Sequence, residues 1–332
     1  MLVDPFGDLV IKPCTPAELA FYEETFAHHV DFAALMPTFM GTLQLGRTEQ
    51  LQQTLDVAQT ATHPLAIALP SFDNDAATTT SGANDSSIPL SSRGKKLDTE
   101  LAIVLENIAA GFKRPNILDV KLGRRLWADD APAAKKQKFD TICAQTTSGS
   151  LGFRVAGMKV WKPEGYRVYD KWYGRARTDN NVQEAFEELF DLAGDENIDG
   201  STQAILDGVV DAAQEIERTV RSQESRMYSA SLLLVYEGDA EERQEALRAT
   251  IERPKRRDTL GEADTEGAQD VEDDDEDDDE PDVKIFDIRV IDFAHAAWTP
   301  GHGPDENMLV GIRNVSKILQ NIAAKRRNAA TR

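Results

Sequence analysis

Cysteine is almost absent from this 332-residue chain. Cys14 and Cys143 lie far apart and outside any metal-ligand spacing, which argues against both a disulfide framework and a thiolate zinc site. Long apolar runs are missing too: stretches such as Leu232–Val235 are far shorter than the roughly 20 residues a membrane-crossing helix needs. The first residues carry no basic-then-apolar leader, so an intracellular protein is expected, in the nucleus, the cytoplasm or both. There is no GxxxxGK[ST] loop, which disfavours a P-loop ATPase, and no glycine-rich phosphate loop before Lys12. Neither a His-Arg-Asp catalytic loop nor an Asp-Phe-Gly triplet occurs, which disfavours an ordinary protein kinase. No aromatic-interleaved RNA motif or basic reading helix is visible, so no direct contact with nucleic acid is expected.

Hydrophobic residues make up 41% of the chain, enough to bury a substantial core at this length. The net charge of −21 is unevenly spread. Residues 262–282 hold 14 acids and no base, which leaves −7 for the remainder. Like-charge repulsion and the scarcity of apolar residues predict a disordered insertion over about 257–282. A second mobile loop is expected over 73–96, rich in Asp, Thr, Ser, Asn and Gly. Global acidity is therefore a poor guide to the sign of any binding site.

Leu9–Lys12 reads as a short strand. Thr15 then offers an N-cap, Pro16 a first helical residue and Glu18 the far end of a capping box, with Leu19, Tyr22 and Phe26 at helical spacing. Leu101–Leu105 is a buried-strand candidate ending at Glu106 and Asn107, and further strands are expected at 151–161, 166–170, 229–237 and 283–293. Amphipathic helices are marked by Val182, Phe186, Leu189 and Ala193, by Ile205 to Val220, and by Leu309 to Ile322. The pattern predicts a two-lobed α+β fold.

Asp119 and Lys121 sit two apart in an apolar stretch, so on a strand they face one side. An acid and an ammonium so placed suit phosphoryl transfer, which needs positioned cations, a metal and an acid near the attacking hydroxyl. Spacing alone equally allows a solvated pair on a strand edge. Asp292 closes an apolar strand, where it suits a Mg²⁺ ligand or a simple turn cap. His295 fits substrate contact or packing. Lys12 is the base on the first strand, a position for reaching ATP phosphates or plain solvent. Lys135, Lys136, Lys138, Lys159 and Lys171 form a local cationic excess that suits a polyphosphorylated ligand or an exposed helix face.

Taken together, these segments resemble the inositol polyphosphate kinase family. The stretch Pro115–Gly123 matches its PxxxDxKxG signature. Residues Ser148–Met158, Tyr173–Arg175, Ser231–Gly238 and Ile291–His295 look like its other landmarks, in the expected order, and Ile11–Cys14 looks like its first lobe. The resemblance runs from about residue 9 to 325, apart from the two low-complexity insertions. The Leu151–Arg154, Asp170–Arg175 and Gly303–Asn307 segments look most like the fungal multikinase branch, ahead of the trisphosphate 3-kinase and hexakisphosphate kinase branches. A glycine- and histidine-containing segment usual before the first-lobe strands has no counterpart after Met1, so a truncated start or a shortened lobe is expected.

The resemblance implies a kinase-like fold with a small ATP-binding lobe at 1–106 and a larger lobe at 107–332 that carries a helical inositol-phosphate segment. It implies transfer of the γ-phosphoryl of MgATP to free hydroxyls of inositol trisphosphate and tetrakisphosphate. Lys12 would contact ATP phosphates, Glu106 and Ile108 would offer hinge backbone groups to adenine, and Asp119 would lie where nucleotide meets substrate. Lys121 would hold the inositol phosphate and neutralise the transferring group. Asp292 would bind Mg²⁺, His295 would face the inositol ring, and Lys135, Lys138, Lys159 and Lys171 would form the phosphate pocket. Fungal members are associated with transcription-factor complexes, which implies a second reading: a kinase-fold scaffold or transcription-complex component with weak or no catalysis.

Overall fold

The computed structural model describes residues 1–44, 99–190, 200–260 and 284–330. The segment read as a mobile loop, 73–96, lies outside them, as does Ala193.

The first part is an antiparallel sheet of β1 (Leu2–Val3), β2 (Leu9–Pro13), β3 (Phe39–Gln44) and β4 (Leu101–Glu106) in the order β1-β2-β4-β3. Helices α1 (Pro16–His28) and α2 (Val30–Ala33) follow β2. Thr15 caps α1, its Oγ1 accepting from the Glu18 N–H at 3.1 Å. The reciprocal half of a capping box is not made: the Glu18 carboxylate lies 2.8 Å from Lys12 Nζ instead. A buried ion pair wins over a local backbone contact.

The second part is built on β5 (Pro115–Leu122), all eight residues of which are buried. It lies between β6 (Phe153–Lys162) and β9 (Ser231–Glu237), with β7 (Gly165–Tyr169) and β10 (Phe286–Ile291) at the edges. Every pairing in this sheet is antiparallel. Because side chains alternate, β5 serves two environments. Leu118, Val120 and Leu122 join the main core, with Leu232, Leu234 and Val290 from the neighbouring strands. Helices α7 (Gly200–Ser222) and α9 (Glu306–Ala330) contribute Ile205, Val209, Ile216, Leu309, Ile312 and Leu319 to the same core. Ile117 instead meets Leu233 and Val235 in a smaller cluster with Ile108 and Phe112 from the turn after β4. Asp119 and Lys121 lie on this second face. A bulge in β6 between Gly157 and Val155 preserves the alternation of β5.

The remaining helices are α3 (Ala133–Ala144), α4 (Thr147–Leu151), α5 (Lys171–Arg175), α6 (Gln183–Leu189) and α8 (Ala240–Leu260). A two-stranded ribbon pairs β8 (Ser225–Met227) with β11 (Ala296–Trp298). Three expected strands are shorter than their apolar patterns. Gly152, at φ 71°, ends α4 and delays β6 to Phe153; Ser229, at φ 62°, precedes β9; Asp292, at φ 68°, stops β10 at Ile291. Helix α8 continues through Leu260, so the span expected to be disordered from about 257 begins with helix, and its remainder lies outside the described residues. No helix among the described residues is long and apolar enough to cross a membrane.

Close packing of α5 on β6 depends on Gly174. A Cβ there would stand 1.8 Å from the Val155 carbonyl oxygen, which belongs to backbone and cannot swing aside. We expect Gly174→Ala to destabilise the fold by about 3 kcal/mol or more, read as a lower urea midpoint at unchanged slope.

Candidate active site

One carboxylate accepts from a lysine of each sheet. Asp292 Oδ1 accepts from Lys12 Nζ at 3.1 Å, and Asp292 Oδ2 accepts from Lys121 Nζ at 3.4 Å. Lys12 comes from β2 and Lys121 from β5, and Lys12 is also paired with the buried Glu18. Burial on its own would raise the Asp292 carboxyl pKa; the two ammonium groups outweigh it and hold the carboxyl well below the usual carboxylate range. Burial would likewise lower Lys12, but Asp292 and Glu18 outweigh it and raise its pKa. Asp292 and Lys12 are therefore both charged at neutral pH. The Asp292 side chain keeps 38% of its surface exposed, against 5% for Lys121, so the acid opens to solvent while the lysine is walled in.

Asp292 stands where it does because its left-handed backbone turns the chain out of β10. For a residue with a Cβ this conformation costs about 1–2 kcal/mol, though Asp tolerates it better than most. Asp119 is buried on the same face of β5 as Lys121, two residues earlier, opposite Gly157 and Leu233.

Beyond Lys121, Lys135 of α3 lies 3.0 Å from His295 Nε2. An ammonium only donates, so Nε2 accepts and the ring proton sits on Nδ1. Burial, then the Lys135 charge, push the His295 pKa down, which keeps the imidazole neutral. Lys138 lies about one turn further along α3 and is exposed. Lys136 is directed elsewhere: its Nζ donates to Asp129 O at 2.7 Å and lies over the Trp127 ring.

Lys159 and Lys171 are not gathered with Lys121 and Lys135. Lys159 pairs with Ile117, four residues along β5 from Lys121, which is about 13 Å at strand spacing. Its Nζ lies 3.7 Å from the centre of the Tyr166 ring, and burial lowers its pKa. Lys171 opens α5, which packs on Val155 and hence on the core face of the sheet, opposite the face carrying Lys121. A count of basic residues holds no information about which face of a sheet each will occupy.

At the other end, Glu106 closes β4. Its carboxylate accepts from the Thr38 hydroxyl at 2.9 Å and from Lys284 Nζ at 2.9 Å. Partial burial would raise its pKa, but Lys284 and Thr38 prevail and lower it to about 2. Ile108 is buried in the turn that follows, where Ala110 N–H donates to Asn107 O at 2.8 Å. A cavity of about 160 Å³ opens beside this turn, lined by Phe6, Asp8, Asn107, Ala109 and Phe112 among others. It contains none of the converging charges, and the chemistry belongs with the charges.

Other residues shape the site without having been singled out by sequence pattern. Glu18 is one, since its place in a helix first turn suggested capping. Ser229 is another: its backbone carbonyl accepts from Lys121 Nζ at 2.9 Å. Asn307, within a segment noted only for its likeness to fungal sequences, accepts on Oδ1 from the N–H groups of Arg124 (2.9 Å) and Arg125 (2.8 Å). It thereby fixes the turn leaving β5, where Gly123 has φ 101° and a Cβ would strike the Asn307 amide at 2.6 Å.

An ionised, partly exposed acid held between two lysines from separate sheets, with Lys135 and His295 beyond it, is an arrangement suited to phosphoryl transfer. Comparison with known proteins specifies the family. Residues 102–320 match the family model described as inositol polyphosphate kinase. The inositol polyphosphate multikinase of Saccharomyces cerevisiae is 33% identical over 361 residues, covering 96% of this chain and 93% of that protein. Human inositol hexakisphosphate kinase 3 is 30% identical over 231 residues, 66% of this chain and 51% of its own, so the chain spans about half of that relative. The crystal structure of the S. cerevisiae inositol phosphate multikinase Ipk2 in complex with ADP and Mn²⁺ aligns with a TM-score of 0.61 at 28% identity, covering 95% of this chain and 99% of that one. The chain belongs to the inositol polyphosphate kinase family.

Proposed function

We propose that the protein is an ATP-dependent inositol polyphosphate kinase of the multikinase type, transferring the γ-phosphoryl group to free hydroxyls of inositol trisphosphate and tetrakisphosphate. The observation that carries this is the bridging of Asp292 between Lys12 and Lys121. Two cations from separate sheets share one partly exposed acid there, the set of charges phosphoryl transfer needs. The near full-length similarity to the yeast multikinase supports the multikinase type over the other branches.

In this reading Lys12 holds ATP phosphates, and the backbone at Glu106 and Ile108 meets adenine where the first lobe, 1–106, gives way to the second. Lys121 neutralises the transferring phosphoryl group, and Asp119 lies at the junction of nucleotide and substrate. Lys135 and Lys138 take the phosphates of the inositol ring, and His295 faces that ring. Lys159 and Lys171 are given no part in the pocket.

A divalent cation fits Asp292. The carboxylate is ionised and partly exposed, and hard cations prefer such oxygens. Among the described residues there is no group of three acid, histidine or cysteine side chains to enclose a metal. An ion here would take its other ligands from phosphates and water, as Mg²⁺ in nucleotide sites does. When bound, it supplies charge neutralisation between phosphate oxygens. Lys12 and Lys121 supply the fixed remainder, and the in-line positioning they impose is the protein's contribution.

Incubation with γ-labelled ATP and inositol trisphosphate should yield labelled tetrakisphosphate, then pentakisphosphate. ATP consumption with no label on any inositol phosphate would reject the proposal.

A further inference from the structure

Among the described residues, Ser229 (φ 62°) and Asp292 (φ 68°) are the non-glycine residues with positive φ. Both offer an oxygen to the same ammonium group: Lys121 Nζ lies 2.9 Å from Ser229 O and 3.4 Å from Asp292 Oδ2. A left-handed serine persists only where its surroundings fix it. Here they do. Ser229 Oγ donates to Leu126 O at 2.9 Å. The Tyr228 N–H donates to His295 O at 3.1 Å, and the Tyr228 ring lies 4.7 Å from the Arg125 guanidinium. On the other side, Ala230 O accepts from the Leu122 N–H at 2.8 Å. The strained residue is thus tied to the end of β5, to the loop leading to α3 and to the His295 segment.

We infer that Ser229 is a positioning residue for phosphoryl transfer, its left-handed backbone aiming a carbonyl at Lys121 and so setting where that ammonium stands beside Asp292. The inference rests on the kinase reading above. A lysine carries its charge on a flexible four-carbon stem, and walls alone do not fix the tip. The carbonyl contact is the shorter of the two. It anchors the ammonium without cancelling its charge, which leaves that charge for a phosphoryl group. Asp292, shared with Lys12 and open to solvent, is the poorer anchor. The role of the hydroxyl is then subsidiary: it holds the turn, and the backbone does the aiming.

Backbone and hydroxyl can be separated by crossed substitutions. Ser229→Gly removes the hydroxyl but leaves a residue at ease with positive φ. Ser229→Thr keeps the hydroxyl but adds a branched Cβ that disfavours that conformation. With ATP and inositol trisphosphate, S229T should lower kcat by about 30-fold or more, with the KM for ATP within about twofold, because misplacement of about 1 Å costs on the order of 100-fold. S229G should retain a kcat at least about tenfold above S229T. In the full chain labelled with ¹⁵N-lysine, the Lys121 Nζ signal should move in S229T and stay near its wild-type position in S229G. A purely structural role would not separate the variants in this order. S229G impaired as deeply as S229T, or S229T matching wild type in kcat and in the Nζ signal, would overturn the inference. Should S229T not fold by circular dichroism, S229G decides alone: a displaced Nζ signal overturns the inference and an undisplaced one sustains it. Failure of the wild-type chain to label any inositol phosphate would defeat the kinase reading, and the Nζ signals would still decide the positioning.

Discussion

Asp292→Asn should give a folded protein that transfers phosphoryl groups at least about 10³-fold more slowly than wild type. Asparagine has nearly the same volume and tolerates the left-handed backbone that Asp292 adopts, so the turn out of β10 is kept. The charge is not. Lys12 retains Glu18 as a partner, which preserves the contact between β2 and α1, but Lys121 loses the Asp292 carboxylate and so does the cation proposed to bind there. Single-turnover kinetics beside a circular dichroism spectrum would check both halves, and a fully active D292N would remove Asp292 from the metal site. The sign of the pH dependence follows from the same contacts. A carboxyl with a depressed folded pKa contributes above its unfolded value, near 3.9, and the contribution is lost only as pH falls towards the lower folded value. Any acid limb in activity between about pH 5 and 8 must therefore come from another group.

Lys121→Met should be about as severe for turnover, again on the order of 10³-fold, while the dissociation constant for ADP changes by less than about threefold. Methionine fills the buried channel of the stem without the charge. Asp292 loses one of its two cations but keeps the contact with Lys12, which holds the nucleotide in the proposed site. Calorimetric titration with ADP alongside rapid-quench kinetics would expose this split. A kcat within about tenfold of wild type would show that the transferring group is neutralised elsewhere. Lys121→Arg should not restore the rate, because the planar guanidinium fork cannot replace a compact ammonium that donates to both the Ser229 carbonyl and the Asp292 carboxylate.

The parts of this architecture that follow from local periodicity were readable in advance. Alternation put Asp119 and Lys121 on one face of β5, and helical spacing marked the residues that α7 and α9 bury in the core. What depends on backbone handedness was not readable. Ser229 and Asp292 are ordinary residues in sequence, and nothing in their neighbours announces a positive φ. Glu18 satisfied a local helix-start pattern, and that hid its pairing with Lys12, which lies on another element. The lysines failed in a different way. Lys135 and Lys159 look alike in composition, yet one reaches His295 from a helix while the other lies against Tyr166 on the strand. Lys159 shares the face of Lys121 but stands four residues along the sheet from it, a distance set by the register of strands far apart in the chain.

The Lys12–Asp292 contact spans 280 positions. A nascent chain emerging from the ribosome exposes Lys12 first, and Lys12 cannot meet its acid until β10 has followed. Closing so long a loop is entropically slow and is recovered only when the core behind β5 has formed. With Asp292 in its proposed role, catalytic competence is acquired late in synthesis and all at once, so a ribosome stalled before residue 292 would display an inert protein however well its first sheet had folded.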